Sequence, residues 1–135
     1  MKQEDSIYNK IKAVNNNIKI NIKYIEMIKS TISDEDILFI SDALYSYQAN
    51  LNKSENIREC IALLTETRII VLYKKIINYG EVIIPIKNID TIKGNKKVFN
   101  TEIVITSKSD HNIIYIKNKN YADMLIDKIN NIVNC

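Results

Sequence analysis

His111 is the only histidine in a chain of 135 residues, so it is the first place to look for acid–base chemistry near neutral pH. It follows Asp110 where the pattern predicts a hairpin turn, and no nucleophile is spaced to form a catalytic set with it. A Cys60–His111 pair is the conceivable nucleophile and base. Cys60, however, adjoins the apolar run from Ile61 to Leu64 and reads as a small buried hydrophobe. One histidine and two separated cysteines, Cys60 and Cys135, do not supply the usual four ligands of a structural zinc site. Asp34-Glu35-Asp36 lacks the glycine and the spaced ligands of a calcium loop and reads as a solvated junction. The expectation is no enzyme, no metal and no cofactor.

Binding chemistry has more to work with. The formal net charge is +3, mildly basic and below what a nucleic-acid binder usually concentrates. Arg58 and Arg68 are the only arginines among 19 cationic residues, and each offers a planar bidentate fork that lysine lacks. Tyr45 and Tyr47 share a strand face, and Tyr73, Tyr79 and Tyr115 are candidates to join them in a tyrosine-lined groove. Lys93-Gly94-Asn95-Lys96-Lys97 reads as a basic turn. Its nearest aromatic, Phe99, is assigned to the core, which leaves no stacking set for a nucleic acid.

These residues need a scaffold, and hydrophobic periodicity outlines one. Ile7, Ile11 and Val14 fit one helical face, Asn15-Asn16-Asn17 interrupts it, and Ile18, Ile22, Ile25, Ile28 and Ile32 fit a second. From Ile37 the period changes to that of a long, bent strand reaching Ala49. Strands are predicted at Ile57–Thr65, Arg68–Lys74, Glu81–Ile84, Ile89–Lys93, Thr101–Ser107 and His111–Lys117. Gly80 is placed for an unusual backbone angle, and Gly94–Lys97 for a turn. A closing helix runs from Asn118 to Val133, with Tyr121, Leu125, Ile129 and Val133 on one stripe. Several strands are apolar at consecutive positions, as in Ile69-Ile70-Val71-Leu72, so both of their faces must be covered, by the N-terminal helices or by another subunit.

Ala62-Leu63-Leu64-Thr65-Glu66-Thr67-Arg68-Ile69-Ile70 is similar to an "LT-x-x-R-[ILV]" hairpin, and Gly80-Glu81-Val82-Ile83-Ile84-Pro85-Ile86 with Ile89 to an "x-I-P-x-x-x-I" step. With Ile113–Ile116 and the Tyr121 helix, this order resembles the bacterial pleckstrin-homology-like domains of the YokE-like kind. The resemblance implies a mainly β, α+β fold: a seven-stranded, partly open barrel in two nearly orthogonal sheets, plugged by the C-terminal helix. Residues 34–135 would form that domain and 1–33 a helical extension. The resemblance also groups Lys53, Arg58, Lys74, Lys75 and Lys108 in or beside the loops of the open end, where related domains often bind phosphoinositides. The K-x(n)-[KR]-x-R pattern of those binders is incomplete, since Cys60 stands where its last arginine would fall.

The expected function is a non-enzymatic interaction or scaffold module that associates with itself or with a protein partner. One alternative is a peripheral binder of anionic lipid or phosphate through those five cations. Another is an accessory protein of immunity or phage type with one specific partner. No apolar run approaches the length of a membrane span. The polar start and sparse cysteines fit a reducing cytoplasm.

Overall fold

A computed structural model of the chain describes residues 3–32, 35–49, 53–54 and 57–134. Two helices, α1 (Gln3–Val14) and α2 (Ile22–Thr31), precede eight strands. The strands are β1 (Phe39–Ala49), β2 (Lys53–Ser54), β3 (Arg58–Leu64), β4 (Arg68–Lys74), β5 (Tyr79–Pro85), β6 (Thr91–Lys96), β7 (Thr101–Ser107) and β8 (Asp110–Ile116). A short 3-10 turn, Ile86–Asn88, joins β5 to β6, and α3 (Lys119–Val133) closes the order.

All strands lie in one antiparallel sheet ordered β5-β4-β3-β1-β8-β7-β6, with β2 a short addition to β1. The expected division into two sheets is therefore a bend within one. Its pivot is β1, whose first part pairs with β3 from Phe39↔Leu64 to Tyr45↔Arg58. Its second part pairs with β8 from Leu44↔Tyr115 to Ala49↔Asp110. Strands β5 and β6 are the two ends of the order, so the barrel is open between them.

Strand alternation explains the consecutive apolar residues. Phe39, Tyr45, Cys60, Ala62, Leu64, Ile69 and Val71 point inward to the barrel core. Their neighbours Ile40, Ile61, Leu63, Ile70 and Leu72 point outward into a second core with Ile7, Ile11, Ile25 and Ile28. The N-terminal helices thus cover the outer face within one chain, and the apolar strands give no motive for self-association.

The interior is plugged by α3, which inserts Ala122, Leu125 and Ile129. Asn118 caps it by accepting from the Tyr121 N–H at 3.1 Å. Val133, expected on the buried stripe, is 48% exposed. Gly94 lies within β6 rather than in a turn, and a Cβ there would stand 2.6 Å from Ile126 Cδ1, so the missing side chain lets α3 sit close. The true turn is 97–100, closed by the Lys97 N–H donating to the Asn100 carbonyl at 2.8 Å. Phe99 therefore lies at a hairpin tip, 83% exposed, and not in the core.

Two polar ties fix the extension to the barrel. Asn15, buried at the end of α1, donates through Nδ2 to the Ile40 carbonyl at 2.8 Å and accepts from the Tyr121 hydroxyl at 3.3 Å. Glu35 is not a solvated junction residue. One of its oxygens accepts from Arg68 Nε and Nη2 at 2.9 and 2.6 Å. The other accepts from the hydroxyls of Thr65 at 2.8 Å and Thr67 at 2.5 Å. Arg68 Nη2 also donates to the Thr31 carbonyl at the end of α2, at 2.7 Å. The arginine of the family-like hairpin is thus structural.

Candidate binding site at the barrel mouth

Tyr45 and Tyr47 project from the inner face of β1 toward the open gap in the barrel. With Arg58, Tyr73, the β5 segment Val82–Pro85, Asp110 and Asn112, they line a cavity of about 480 Å³. The Tyr45 hydroxyl donates to Asn112 Oδ1 at 2.5 Å, and the Tyr47 hydroxyl to Asp110 Oδ1 at 2.6 Å. These bonds add side-chain ties between the paired strands β1 and β8 and fix both rings. The Tyr45 and Tyr73 rings stack at 5.9 Å with planes 22° apart.

Tyr73 can lie there because its cross-strand partner is Gly80. A Cβ on Gly80 would stand 2.5 Å from Tyr73 Cζ, so clearance for the ring explains this glycine. The expected unusual backbone angle is absent at Gly80. Lys108 carries one instead, with φ 58° in the β7–β8 turn, a conformation that favours glycine.

The five cations expected at the open end separate. The Arg58 guanidinium lies over the Tyr73 ring at 5.7 Å, and Lys75 Nζ approaches the same ring at 6.0 Å. Lys74, one residue beyond Tyr73 in the strand, lines a cleft on the outer face instead. Lys108 is exposed at the β7–β8 turn, and its N–H donates to Asp90 Oδ2 at 2.6 Å. The backbone of Lys53 pairs with Ala49 in β2, while its side chain lies outside the described part. Of the five, Arg58 and Lys75 meet.

The tyrosines divide too. Tyr45, Tyr47 and Tyr73 line the mouth. Tyr79 packs edge-on against Tyr24 in the outer core, 5.2 Å between centroids, and Tyr115 lines the outer cleft. Sequence reasoning missed Asn112 and Asp110 as fixers of the mouth tyrosines. The signal was alternation, which sets Asn112 opposite Tyr47 in the β1–β8 ladder and beside Tyr45 on the same face.

Catalytic geometry does not assemble around the candidates. Cys60 pairs with Ala43 and His111 with Gln48, five positions apart on β1, or roughly 17 Å at the strand rise. Burial, with Asp42 adding to it, pushes the Cys60 thiol up to about 12. His111 Nδ1 lies 3.0 Å from the Thr106 hydroxyl on the neighbouring strand. Among the described residues, no group of three or more His, Cys, Asp or Glu is placed to hold a metal ion.

This bent sheet with its closing helix has the pleckstrin-homology-like fold. The chain is similar to the N-terminal PH domain of Vps36, with TM-score 0.59, 10% identity, and 77% of this chain and 86% of that chain covered. It is similar to the PH domain of USP37, with TM-score 0.52, 9% identity, and 71% and 97% covered. A third similar structure is the complex of PDZ-RhoGEF DH/PH domains with GTP-gamma-S-activated RhoA, with TM-score 0.55, 10% identity, and 98% of this chain and 39% of that chain covered. No family model and no curated protein matches the sequence. Among the described residues, no helix is long and apolar enough to cross a membrane.

Proposed function

We propose that the chain is a non-catalytic PH-like binding module that takes an extended segment of a protein partner along β5, with one partner side chain seated in the tyrosine-lined mouth. The observation that carries this reading is the position of the cavity beside the end strand β5, whose residues Val82 to Pro85 form one wall. Such an edge offers backbone donors and acceptors to an incoming strand, and the aromatic wall supplies selectivity. Ile83, 40% exposed, gives an incoming strand an apolar contact. The PH-like region of the PDZ-RhoGEF chain in complex with activated RhoA is consistent with a role in protein assembly. We also keep the bacterial YokE-like resemblance and a cytoplasmic setting within this proposal.

Panning a peptide phage library on the full chain tests the reading. Enriched peptides should share an extended motif and lose binding to Ile83→Lys and Tyr73→Ala. No enrichment, or peptides that bind both variants like the native chain, would overturn it. Arg58 and Lys75 over one ring favour a second reading, an acidic or phosphate group at the rim of the mouth. Arg58→Gln should then weaken acidic peptides selectively.

A further inference from the structure

We propose that the outer cleft shared by the N-terminal extension and the β6–β7 hairpin binds a purine ribonucleoside monophosphate. The cleft holds about 460 Å³. Small-molecule sites usually hold about 300–1,000 Å³. Its floor is the outer face of three neighbouring strands. Leu44 of β1 pairs with Glu59 of β3 on one side and with Tyr115 of β8 on the other, so these three residues stand in one row. The row spans two strand spacings, roughly 10 Å. Asp42, two residues from Leu44 on β1, joins the same face. Lys19, from the link between α1 and α2, and Phe99, from the hairpin tip, border this floor.

The cleft gathers charges of both signs. Lys19, Lys74 and Lys117 bring positive charge, and Asp42 and Glu59 bring negative charge. Among the described residues, none of these five side chains is held in a hydrogen bond or an ion pair. They are available to a ligand that carries both kinds of complement. Phe99 at 83% exposure and the half-buried Tyr115 add aromatic faces beside them. The basic turn had no stacking set along the sequence, and the fold supplies one by bringing β8 to the tip.

Chemistry narrows the occupant. The floor strands β1, β3 and β8 are all interior to the sheet order, so their backbone groups are already paired and offer no edge to an extended peptide. A bare polyphosphate would meet Asp42 and Glu59 with like charge and leave the aromatic faces idle. A ribonucleotide uses every part. Its base stacks on Phe99 and Tyr115, its phosphate accepts from the lysines, and its ribose hydroxyls donate to the carboxylates. The mouth tyrosines lie on the inner face, so this inference stands apart from the peptide-binding reading.

Isothermal titration calorimetry of the full chain with adenosine monophosphate is the test. Binding should saturate below about 1 mM. Adenosine and inorganic phosphate, each half of the ligand, should bind at least roughly tenfold more weakly. The 2′-deoxynucleotide should bind roughly fivefold more weakly to the native chain, and Asp42→Asn with Glu59→Gln should erase that difference. Phe99→Ala should weaken the ribonucleotide by roughly fivefold or more, and Lys117→Gln by roughly tenfold. Both positions are exposed, so circular dichroism should stay native. Ile83→Lys, at the β5 edge, should bind the nucleotide normally while losing peptides, which lets the two readings fail separately. No binding at that concentration, or a Phe99→Ala or Lys117→Gln variant that binds like the native chain, would overturn the proposal. So would a 2′-deoxynucleotide bound as tightly as the ribonucleotide, or phosphate alone competing equally well, which would leave an anion patch. An oligoadenylate that binds where the free nucleotide does not would overturn it too, by assigning the cleft to RNA.

Discussion

Replacing Glu35 with glutamine should loosen the helical extension while leaving the barrel folded. The carboxylate gathers Arg68, Thr65 and Thr67, and Arg68 reaches on to the end of α2. A secluded hydrogen bond to a charged group contributes about 1.5–3 kcal/mol, and an exposed ion pair about 0–1 kcal/mol. The Arg68 and Glu35 side chains are 23% and 27% exposed, which sets the cluster between those limits. Glutamine keeps one acceptor oxygen but removes the charge, so the expected loss is about 2 kcal/mol. For a domain of this size that lowers the melting temperature by about 7 °C. The pH dependence adds a sign. The Thr67 hydroxyl above all, opposed by burial and assisted by Thr65 and Arg68, holds the Glu35 carboxyl below its ordinary 4.5. A depressed folded pKa contributes stability that is present above the ordinary value and is lost as pH falls through the lowered one. The gap between native chain and E35Q should therefore be full near neutral pH and shrink in acid. Thermal unfolding followed by circular dichroism measures it, and amide exchange should show α2 opening more readily in the variant. An unchanged melting temperature at neutral pH, or a gap that widens on acidification, would refute the reasoning.

Gly80→Ala should push the Tyr73 ring off Tyr45 and lower stability by about 1–2 kcal/mol, read from the denaturant midpoint. Leu125→Ala, at a position 1% exposed, should cost about 2–4 kcal/mol by the same measurement, since it hollows the plug of the barrel. In a Cys135→Ser background, Cys60 should resist a disulfide reagent in mildly alkaline buffer until denaturant is added, because burial keeps its thiol protonated. Equally fast labelling of the folded chain would contradict that burial. Sedimentation velocity should give a monomer at micromolar concentration, since the apolar outer faces of β1, β3 and β4 are covered by the chain's own helices.

Strand order and the closing helix were legible because their signals are local. Arg68–Lys74 and Thr101–Ser107 follow from apolar runs bounded by turn residues, and Asn118 announces the start of α3. The β6–β7 hairpin was misplaced because Gly94 and Asn95 carry a turn signal. Gly94 instead lies within β6 beneath Ile126, more than thirty residues away, where an added Cβ would press on that side chain's Cδ1. Phe99 misled in the other direction, because hydrophobicity alone does not distinguish a core residue from an exposed tip. The site was half legible. Tyr45 and Tyr47 on one face were visible from alternation, and Arg58 stood out by type. The stacking of Tyr73, its clearance over Gly80 and the separation of Lys74 from Lys75 depend on pairing across strands. The two arginines, alike in the sequence, divide by place: Arg68 ties the extension down, and Arg58 stands at the mouth.

That division bears on how the role of the extension can be tested. Deleting α1 and α2 would expose Ile40, Ile61, Leu63, Ile70 and Leu72, each at most 2% exposed in the folded chain. At about 1.5–3 kcal/mol for each buried side chain, the loss reaches roughly 10 kcal/mol. A whole domain of this kind has about 5–15 kcal/mol of stability. A truncated chain that fails to bind would therefore report unfolding or aggregation rather than a missing contact. Charge reversal at Lys19 and Lys23 separates the two effects, because both side chains are exposed and neither belongs to the second core. Lys19→Glu with Lys23→Glu should leave the melting temperature within about 2 °C, as surface changes usually do, and should leave peptide binding at the mouth native, since neither residue lines it. If peptide binding instead falls in that variant with the melting temperature unchanged, the exposed face of the extension takes part in the partner surface and is more than a cover for the sheet.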